Sequence, residues 1–340
     1  MVNVGIIGLG MMGATHLGIY ATRSDARIVA VCDKDPTRLS GKSAVSVNIE
    51  GIPQGSTISN DVKKYEDAAD LIADPNVQLV DICLPTPLHL KFAKSALSAG
   101  KHVMIEKPLG RTSAEAFEIV DAADAASGIA MPAMCMRFWP GWDWLKQVIN
   151  QRKYGAVLSA HLRRVTSHPG GSFYSDGKAC GGALLDLHVH DADFIQYCFG
   201  MPKAVFSRGY SKITGQIDHI ITQYIFDDVP MVTAEGGWAM ANGFGLEIQY
   251  TVNFEHVTAK FEFTGTNNLT LFKPGHKSKI IDIPSIMGFS YEIAYFIDCI
   301  SNNQAPEVVT LHDAANSIVI VEAEGRSVAS NRIVEIGEKR

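Results

Sequence analysis

Three groups of residues in this 340-residue chain have the types and spacing of a reactive site. The first is Gly8-Leu9-Gly10-Met11-Met12-Gly13, which follows the apolar run Val4 to Ile7 and opens an amphipathic stretch. Gly8 turns the chain, Gly10 lets the backbone approach a pyrophosphate, and Gly13 lets a helix pack close to a sheet. Met11 and Met12 lie in this cofactor-binding turn, ahead of a helix whose N–H groups and dipole would face the phosphates. About 20 residues further on, Asp33 ends a second apolar run, where a carboxylate accepts hydrogen bonds from adenosine ribose hydroxyls and repels a 2'-phosphate. NAD is therefore the expected cofactor, and Lys34 and Arg38 keep NADP possible. The second group is Glu106-Lys107-Pro108, a cation placed by the run His102 to Ile105 at the end of a strand. The third is Asp186, His190 and Asp193, which helical spacing sets on one face, with Leu184, Leu185, Val189 and Phe194 supplying an apolar side. A histidine near neutral pKa takes a proton from an alcohol, and a neighbouring carboxylate fixes its tautomer. A purely structural histidine and a metal site are the competing readings. The metal is disfavoured because His188 and His190 point about 200° apart on a helix.

The elements needed to hold these groups are legible around them. Val4 to Ile7, Ile28 to Cys32, Leu79 to Leu84 and His102 to Ile105 are continuous apolar runs, as strands buried on both faces should be. Helical stretches lie between them: Gly13 to Thr22, Tyr65 to Ala73, Leu88 to Ala99 and Ser113 to Ser127. Strand then helix, repeated, predicts a parallel sheet with right-handed crossovers, and Lys107 then falls at its carboxyl edge, where such sheets bind ligands. Pro85 and Thr86, with His89, form a stiff loop at the same edge, suited to a wall beside the cofactor. Residues 40–60 read as helix end plus exposed loop.

After Met131-Pro132 the pattern changes. A helix over Pro140 to Asn150 leads to a strand from Ala156 to Ser167, a glycine-rich loop, and a helix from Ala183 to Cys198. Strands follow over Ala204 to Tyr210, Ile220 to Phe226, Met231 to Trp238, Leu246 to Val252, Thr258 to Phe263 and Asn268 to Phe272. Turns such as Asp227-Asp228 and Asn267-Asn268 suggest antiparallel pairing. Two helices and a strand from Ile333 to Ile336 close the chain. The predicted fold is α/β: a Rossmann dinucleotide-binding domain over 1–130, then an α+β domain over 131–340 with a large, mostly antiparallel sheet.

Composition narrows the function classes. Hydrophobic residues make up 46% and charged ones 19%, so the chain can bury a core. A net charge of −6 with both signs interspersed offers nucleic acid no basic stripe. No apolar run reaches the roughly 20 residues of a membrane span. The first residues read directly as a strand, which makes a cytoplasmic location the expectation. Six scattered cysteines without a Cys-x-x-Cys pair fit reduced thiols.

Taken together, Gly8 to Gly13, Pro85 to His89, Ala99-Gly100-Lys101-His102-Val103 running into Glu106-Lys107-Pro108, and Asp186 to His190 resemble the Gfo/Idh/MocA oxidoreductases. The resemblance spans almost the whole chain. It implies a second domain built on an open mixed sheet, used by many members for homodimer or homotetramer contacts, and a sugar, inositol or other polyol substrate. It also implies that Lys107 is the active-site lysine, that Asp186 and His190 are the Asp-x-x-x-His pair, and that Asp193 is a further substrate contact. Glu106 joins the cofactor loop by the same match. His188 stands where glycine is more frequent, and Cys135 replaces an asparagine before Arg137-Phe138. Trp139 and Trp142 are candidates for stacking on a sugar or for packing. Arg163, with Arg164, His168, Tyr174 and Lys178, is a candidate for reading substrate hydroxyls. The expected reaction is hydride transfer between nicotinamide and a secondary alcohol. An NAD-dependent glycoside hydrolase and a catalytically silent NAD-binding sensor are the alternatives.

Overall fold

A computed structural model describes residues 1–40, 58–263 and 267–337. The chain divides into two units: Met1–Gly110, Ala114–Cys135 and Met287–Ala315 form one, and Arg111–Ser113, Met136–Ile286 and Asn316–Arg340 form the other.

The first unit is built on six parallel strands in the order β3-β2-β1-β4-β5-β6. They are β1 (Val2–Ile7), β2 (Ala26–Cys32), β3 (Lys63–Tyr65), β4 (Leu79–Ile82), β5 (His102–Glu106) and β6 (Ala130–Ala133). Its helices are α1 (Met11–Ala21), α2 (Pro36–Leu39), α3 (Ala68–Ala73), α4 (His89–Ser98) and α5 (Ser113–Asp124). Every residue of β4 is buried, Asp81 included, as expected for a largely apolar strand covered on both faces. The order reverses between β1 and β4, the topological switch at which doubly wound sheets open a crevice.

The second unit carries a nine-stranded sheet in the order β14-β13-β12-β11-β7-β10-β9-β8-β15. The strands are β7 (Val157–Ser167), β8 (Ala204–Tyr210), β9 (His219–Ile225), β10 (Met231–Met240), β11 (Leu246–Phe254), β12 (Thr258–Phe263), β13 (Asn267–Phe272), β14 (Lys279–Ile281) and β15 (Val334–Glu335). All neighbours are antiparallel except β7 and β10. Its helices are α6 (Pro140–Asn150), α7 (Gly171–Ser175), α8 (Gly177–Cys180), α9 (Gly182–Asp186) and α10 (Val189–Phe199); α11 (Gly288–Ser301) belongs to the first unit, and α12 (Leu311–Ser330) to the second from Asn316 onward. One sheet face is covered: Trp142 of α6 packs edge-on against Phe194 of α10 and against Tyr250 and Phe261 of the sheet. Trp139 packs on Phe263. Both tryptophans are core residues, because rings of this size offset the cost of ordering a sheet only when buried. The opposite face leaves Tyr210, Ile221 and Met231 exposed.

Three elements differ from the sequence reading. The expected helix from Tyr65 begins at Ala68, because Tyr65 pairs with Cys32 in β3 and the Asp67 side chain caps α3 by accepting from the Ala69 N–H. β6 contains Pro132, which an edge strand tolerates. Asn267 and Asn268 are already paired in β13 rather than forming the turn. Of the loop read over 40–60, residues 41–57 lie outside the described residues. No helix among the described residues is long and apolar enough to cross a membrane.

Candidate active site

In the first unit the carboxyl ends of β1, β2, β4 and β5 deliver Gly8, Asp33, Cys83 to Thr86, and Lys107 to one sheet edge. The glycines there divide by role. Gly8 has φ +92°, and a Cβ on it would sit 2.4 Å from the Cys83 carbonyl oxygen. A Cβ on Gly13 would come within 1.8 Å of the Gly8 carbonyl oxygen, so α1 touches the turn that precedes it. Gly10 is different, since among the described residues its Cβ would meet only the Arg38 Nη1, at 3.9 Å. It is the N-cap of α1 and supplies no side-chain cap to the N–H groups of the first turn, which Met11 and Met12 begin. A backbone stripped of side chain where nothing among the described residues needs the space, beside a helix start without a side-chain cap, fits a dinucleotide pyrophosphate.

Asp33 is almost buried and its carboxylate is oriented by main chain: Oδ2 accepts from the Leu9 N–H at 2.7 Å and Oδ1 from the Asp35 N–H at 2.9 Å. Arg38 Nη1 lies 3.3 Å from Oδ2, so the cation that a 2'-phosphate would need is already paired to the acid. Pro85 caps a 3-10 turn over Thr86–Leu88, and Thr86 is buried.

His89 does not line this edge. It is fully buried, with Nδ1 2.9 Å from the Pro108 carbonyl oxygen and Nε2 2.7 Å from that of Leu84. Its polar atoms are spent tying the Pro85 turn to the Lys107-Pro108 segment. Burial pushes its pKa down, against the pull of the two carbonyls. Glu106 likewise points inward, where Oε2 accepts the Lys107 N–H at 3.1 Å and Oε1 lies 3.3 Å from His16 Nε2. The His16 Nδ1 meets Asp81 Oδ2 at 2.8 Å, and Cys83 Sγ lies 3.5 Å away. Burial opposes charge on His16, but Asp81 and Cys83 outweigh it and raise its pKa well above the ordinary value, while burial pushes the Cys83 thiol up. Sequence reasoning passed over this cluster. Asp81 in the middle of an otherwise apolar strand was the available signal, since a buried carboxylate demands a partner. His16, Asp81 and Cys83 bring ligand atoms within 4.8 Å, yet the direct His16–Asp81 hydrogen bond fills that space.

In the second unit the helix expected from Ala183 to Cys198 is divided. Asp186 ends α9, Leu187 and His188 make a turn, and α10 starts at Val189, so Asp186 and His190 flank a break instead of sharing a regular helix. Asp186 is buried and His190 half-buried. Asp193 is not beside them in role. It is completely buried, held by Arg137 through Nε–Oδ2 at 2.9 Å and Nη2–Oδ1 at 2.7 Å, and accepts from the Ser317 hydroxyl at 3.0 Å. Both of its oxygens are engaged in a buried ion pair.

Arg163 is corrected too. Residues alternate across β7, and Arg164 faces α10, with Nε 3.0 Å from Asp191 Oδ2. Arg163 therefore projects from the other sheet face, where it pairs with Glu235 at 2.9 Å and with Glu247. His168 donates from Nε2 to the Tyr174 carbonyl and accepts the Gly170 N–H at Nδ1, and both His168 and Tyr174 pack edge-on against Trp238.

Comparison with known proteins bears on both units. Residues 2–134 match the family model described as "Oxidoreductase family, NAD-binding Rossmann fold", of the GFO/IDH/MocA set, and residues 142–267 match the "GFO/IDH/MocA C-terminal domain". The chain is 28% identical over 217 residues to a myo-inositol 2-dehydrogenase of Thermotoga maritima, covering 63% of this chain and 60% of that protein. It is 31% identical over 200 residues to an inositol 2-dehydrogenase of Ralstonia nicotianae, covering 58% and 54%. It thus spans little more than half the length of these curated relatives. Among solved structures, a levoglucosan dehydrogenase in complex with NADH and L-sorbose superposes with a TM-score of 0.84 at 21% identity, over 99% of each chain. That likeness establishes the fold.

Proposed function

The chain belongs to the Gfo/Idh/MocA oxidoreductases, and on that premise we propose that it transfers hydride reversibly between a nicotinamide cofactor and a secondary alcohol of a sugar, inositol or other polyol. The observation that carries the reading is the gathering of Gly8 to Gly13, Asp33, Pro85, Thr86 and Lys107 at one edge of the parallel sheet. NAD is the proposed cofactor. Asp33, held ready by two main-chain donors and paired to Arg38, offers acceptors to ribose hydroxyls and a negative charge to a 2'-phosphate.

Bound nicotinamide supplies the hydride acceptor at its C4 position. The protein handles the proton. His190 removes it from the hydroxyl as hydride leaves, Lys107 hydrogen-bonds the same oxygen and favours its developing negative charge, and Asp186 orients His190. The inositol dehydrogenases to which the chain is similar support a polyhydroxylated substrate. A homodimer or homotetramer through the open sheet face belongs to the same proposal, supported by the exposed Tyr210, Ile221 and Met231 on that face.

The test is Lys107→Ala assayed by NADH formation across polyols, inositols and aldoses, with NADH binding measured in parallel. Turnover should fall about 100- to 10,000-fold while NADH affinity stays near wild type. Near-normal turnover in that variant would remove Lys107 from the chemistry.

A further inference from the structure

The break between α9 and α10 has a defined hydrogen-bond pattern. The Leu187 N–H bonds to the Ala183 carbonyl at 3.0 Å in the ordinary helical spacing, but the His188 N–H returns to the same carbonyl at 2.8 Å, five residues back. One extra residue is thereby held in the turn. Such single wide turns inside helices occur frequently at functional sites. His188 is also the N-cap of α10 and makes no side-chain cap. Its ring goes into the core instead. Nε2 lies 3.3 Å from Glu324 Oε1 of α12 and 3.1 Å from the Tyr224 hydroxyl of β9, and Nδ1 is 4.0 Å from Asp191 Oδ2 of α10. Arg164 of β7 holds Asp191 from the other side at 3.0 Å. β10 makes room for the ring with Gly236, where a Cβ would come within 2.3 Å of Nδ1. All five polar side chains are buried. Two carboxylates and one guanidinium sum to neutrality only when His188 carries a proton, and an uncompensated buried charge is strongly unfavourable.

We propose that His188 is a positioning residue: a buried imidazolium, fixed by Glu324, Asp191 and Tyr224 in the slot left by Gly236, that sets the wide turn carrying Asp186 and His190. This rests on the acid–base reading of those two residues. Among the described residues, the charged or titratable groups facing the ring are Glu324 from α12, Asp191 from its own helix, Arg164 from β7 and Tyr224 from β9, while β10 contributes Gly236. Burial by itself opposes the charge, Glu324 and then Asp191 outweigh burial, and Arg164 works against them, which leaves the His188 pKa raised. The turn is therefore held while the proton is bound and loosens as pH rises through that raised value, when the proton leaves and the two carboxylates are no longer balanced.

The experiment is imidazole NMR on the full-length, histidine-labelled protein across pH, in wild type, Glu324→Gln, His188→Gln and Gly236→Ala, with signals assigned by single-histidine substitution and the exposed His312 as reference. In wild type the His188 signal should stay that of an imidazolium through neutral pH. In Glu324→Gln, which keeps the shape of the site should His188→Gln fail to fold, its midpoint should drop by about one unit or more. In each folded variant the His190 midpoint should move while that of His312 does not. A neutral His188 ring at pH 6 in wild type, or a His190 midpoint unchanged in every variant, would overturn the proposal. The readout uses no turnover, so a His190→Asn variant with full activity would defeat the acid–base reading as a separate result.

Discussion

Gly10→Ala separates binding from folding. The backbone at Gly10 has φ −69° and ψ −160°, which any residue adopts, and the added methyl would lie 3.9 Å from the flexible end of Arg38 and near nothing else. Folding should change little: alanine is a poorer N-cap than glycine by roughly 0.5–1 kcal/mol, and the stiffer unfolded chain returns about 0.4–1 kcal/mol. The melting temperature should therefore stay within about 2–4 °C of wild type. Binding should change a great deal, because the methyl stands where the pyrophosphate must approach the helix start. Pushing that group back sacrifices a hydrogen bond to a charged group, worth about 1.5–3 kcal/mol, or about a 10- to 150-fold rise in Kd. Titration of NADH fluorescence reads the binding, and a thermal melt of the same sample reads the fold. Gly13→Ala is the contrasting variant, since its Cβ would sit 1.8 Å from the Gly8 carbonyl oxygen, and it should lose stability as well as affinity. NADH affinity within twofold of wild type in Gly10→Ala would refute a pyrophosphate at this position, and a large fall in melting temperature would refute the open space inferred around Gly10.

Two further variants test assignments in the second unit. Arg137→Met strands the Asp193 carboxylate in the core and should cost about 3–5 kcal/mol in urea unfolding; a stable variant with reduced turnover would instead return Asp193 to the substrate. Asp218→Asn should remove part of the acid sensitivity of the fold. Burial alone would raise the Asp218 pKa, but the Thr214 hydroxyl and the N–H groups of Ile213, Lys212 and Thr214 outweigh it and hold it at about 2. A carboxylate depressed on folding stabilises above its unfolded value and loses that contribution as pH falls through the folded one. The stability gap between wild type and variant should therefore be about 2.5 kcal/mol near pH 5 and close toward zero at pH 2, read by denaturant titration at each pH.

The sequence made the first unit readable because its signals are local. A glycine that turns, a glycine that clears a helix and an acid at the next strand end each express a backbone requirement within a few residues, and the β1, β2, β4 and β5 runs announce burial on both faces. β3 and β6 escaped for the same physical reason in reverse. Lys63-Lys64-Tyr65 is polar because an edge strand faces water, and Pro132 is tolerated in β6 because its missing N–H points off the edge. Of the candidate site, Lys107 was legible from its place after β5, whereas His89 and Glu106 were read as ligand contacts although their partners, the Leu84 and Pro108 carbonyls and His16, are inside.

Residues 186–193 show why helical spacing alone could not sort the second site. Asp186, His188, His190, Asp191 and Asp193 differ little in type and lie within eight positions, yet Asp191 and Asp193 are neutralised by Arg164 and Arg137, and His188 is enclosed by Glu324 and Tyr224. None of these partners is close in sequence. A helical wheel also assumes a constant 100° step, and the His188 N–H bond to Ala183 breaks that step between the two residues it was meant to align. What distinguishes a reactive carboxylate from a structural one here is whether a guanidinium from elsewhere in the chain has already claimed both its oxygens. Asp193 meets that condition through Arg137 and is structural on that criterion, and under the proposed mechanism the reach of His190 toward a hydroxyl would depend on the turn that buried charge is proposed to hold.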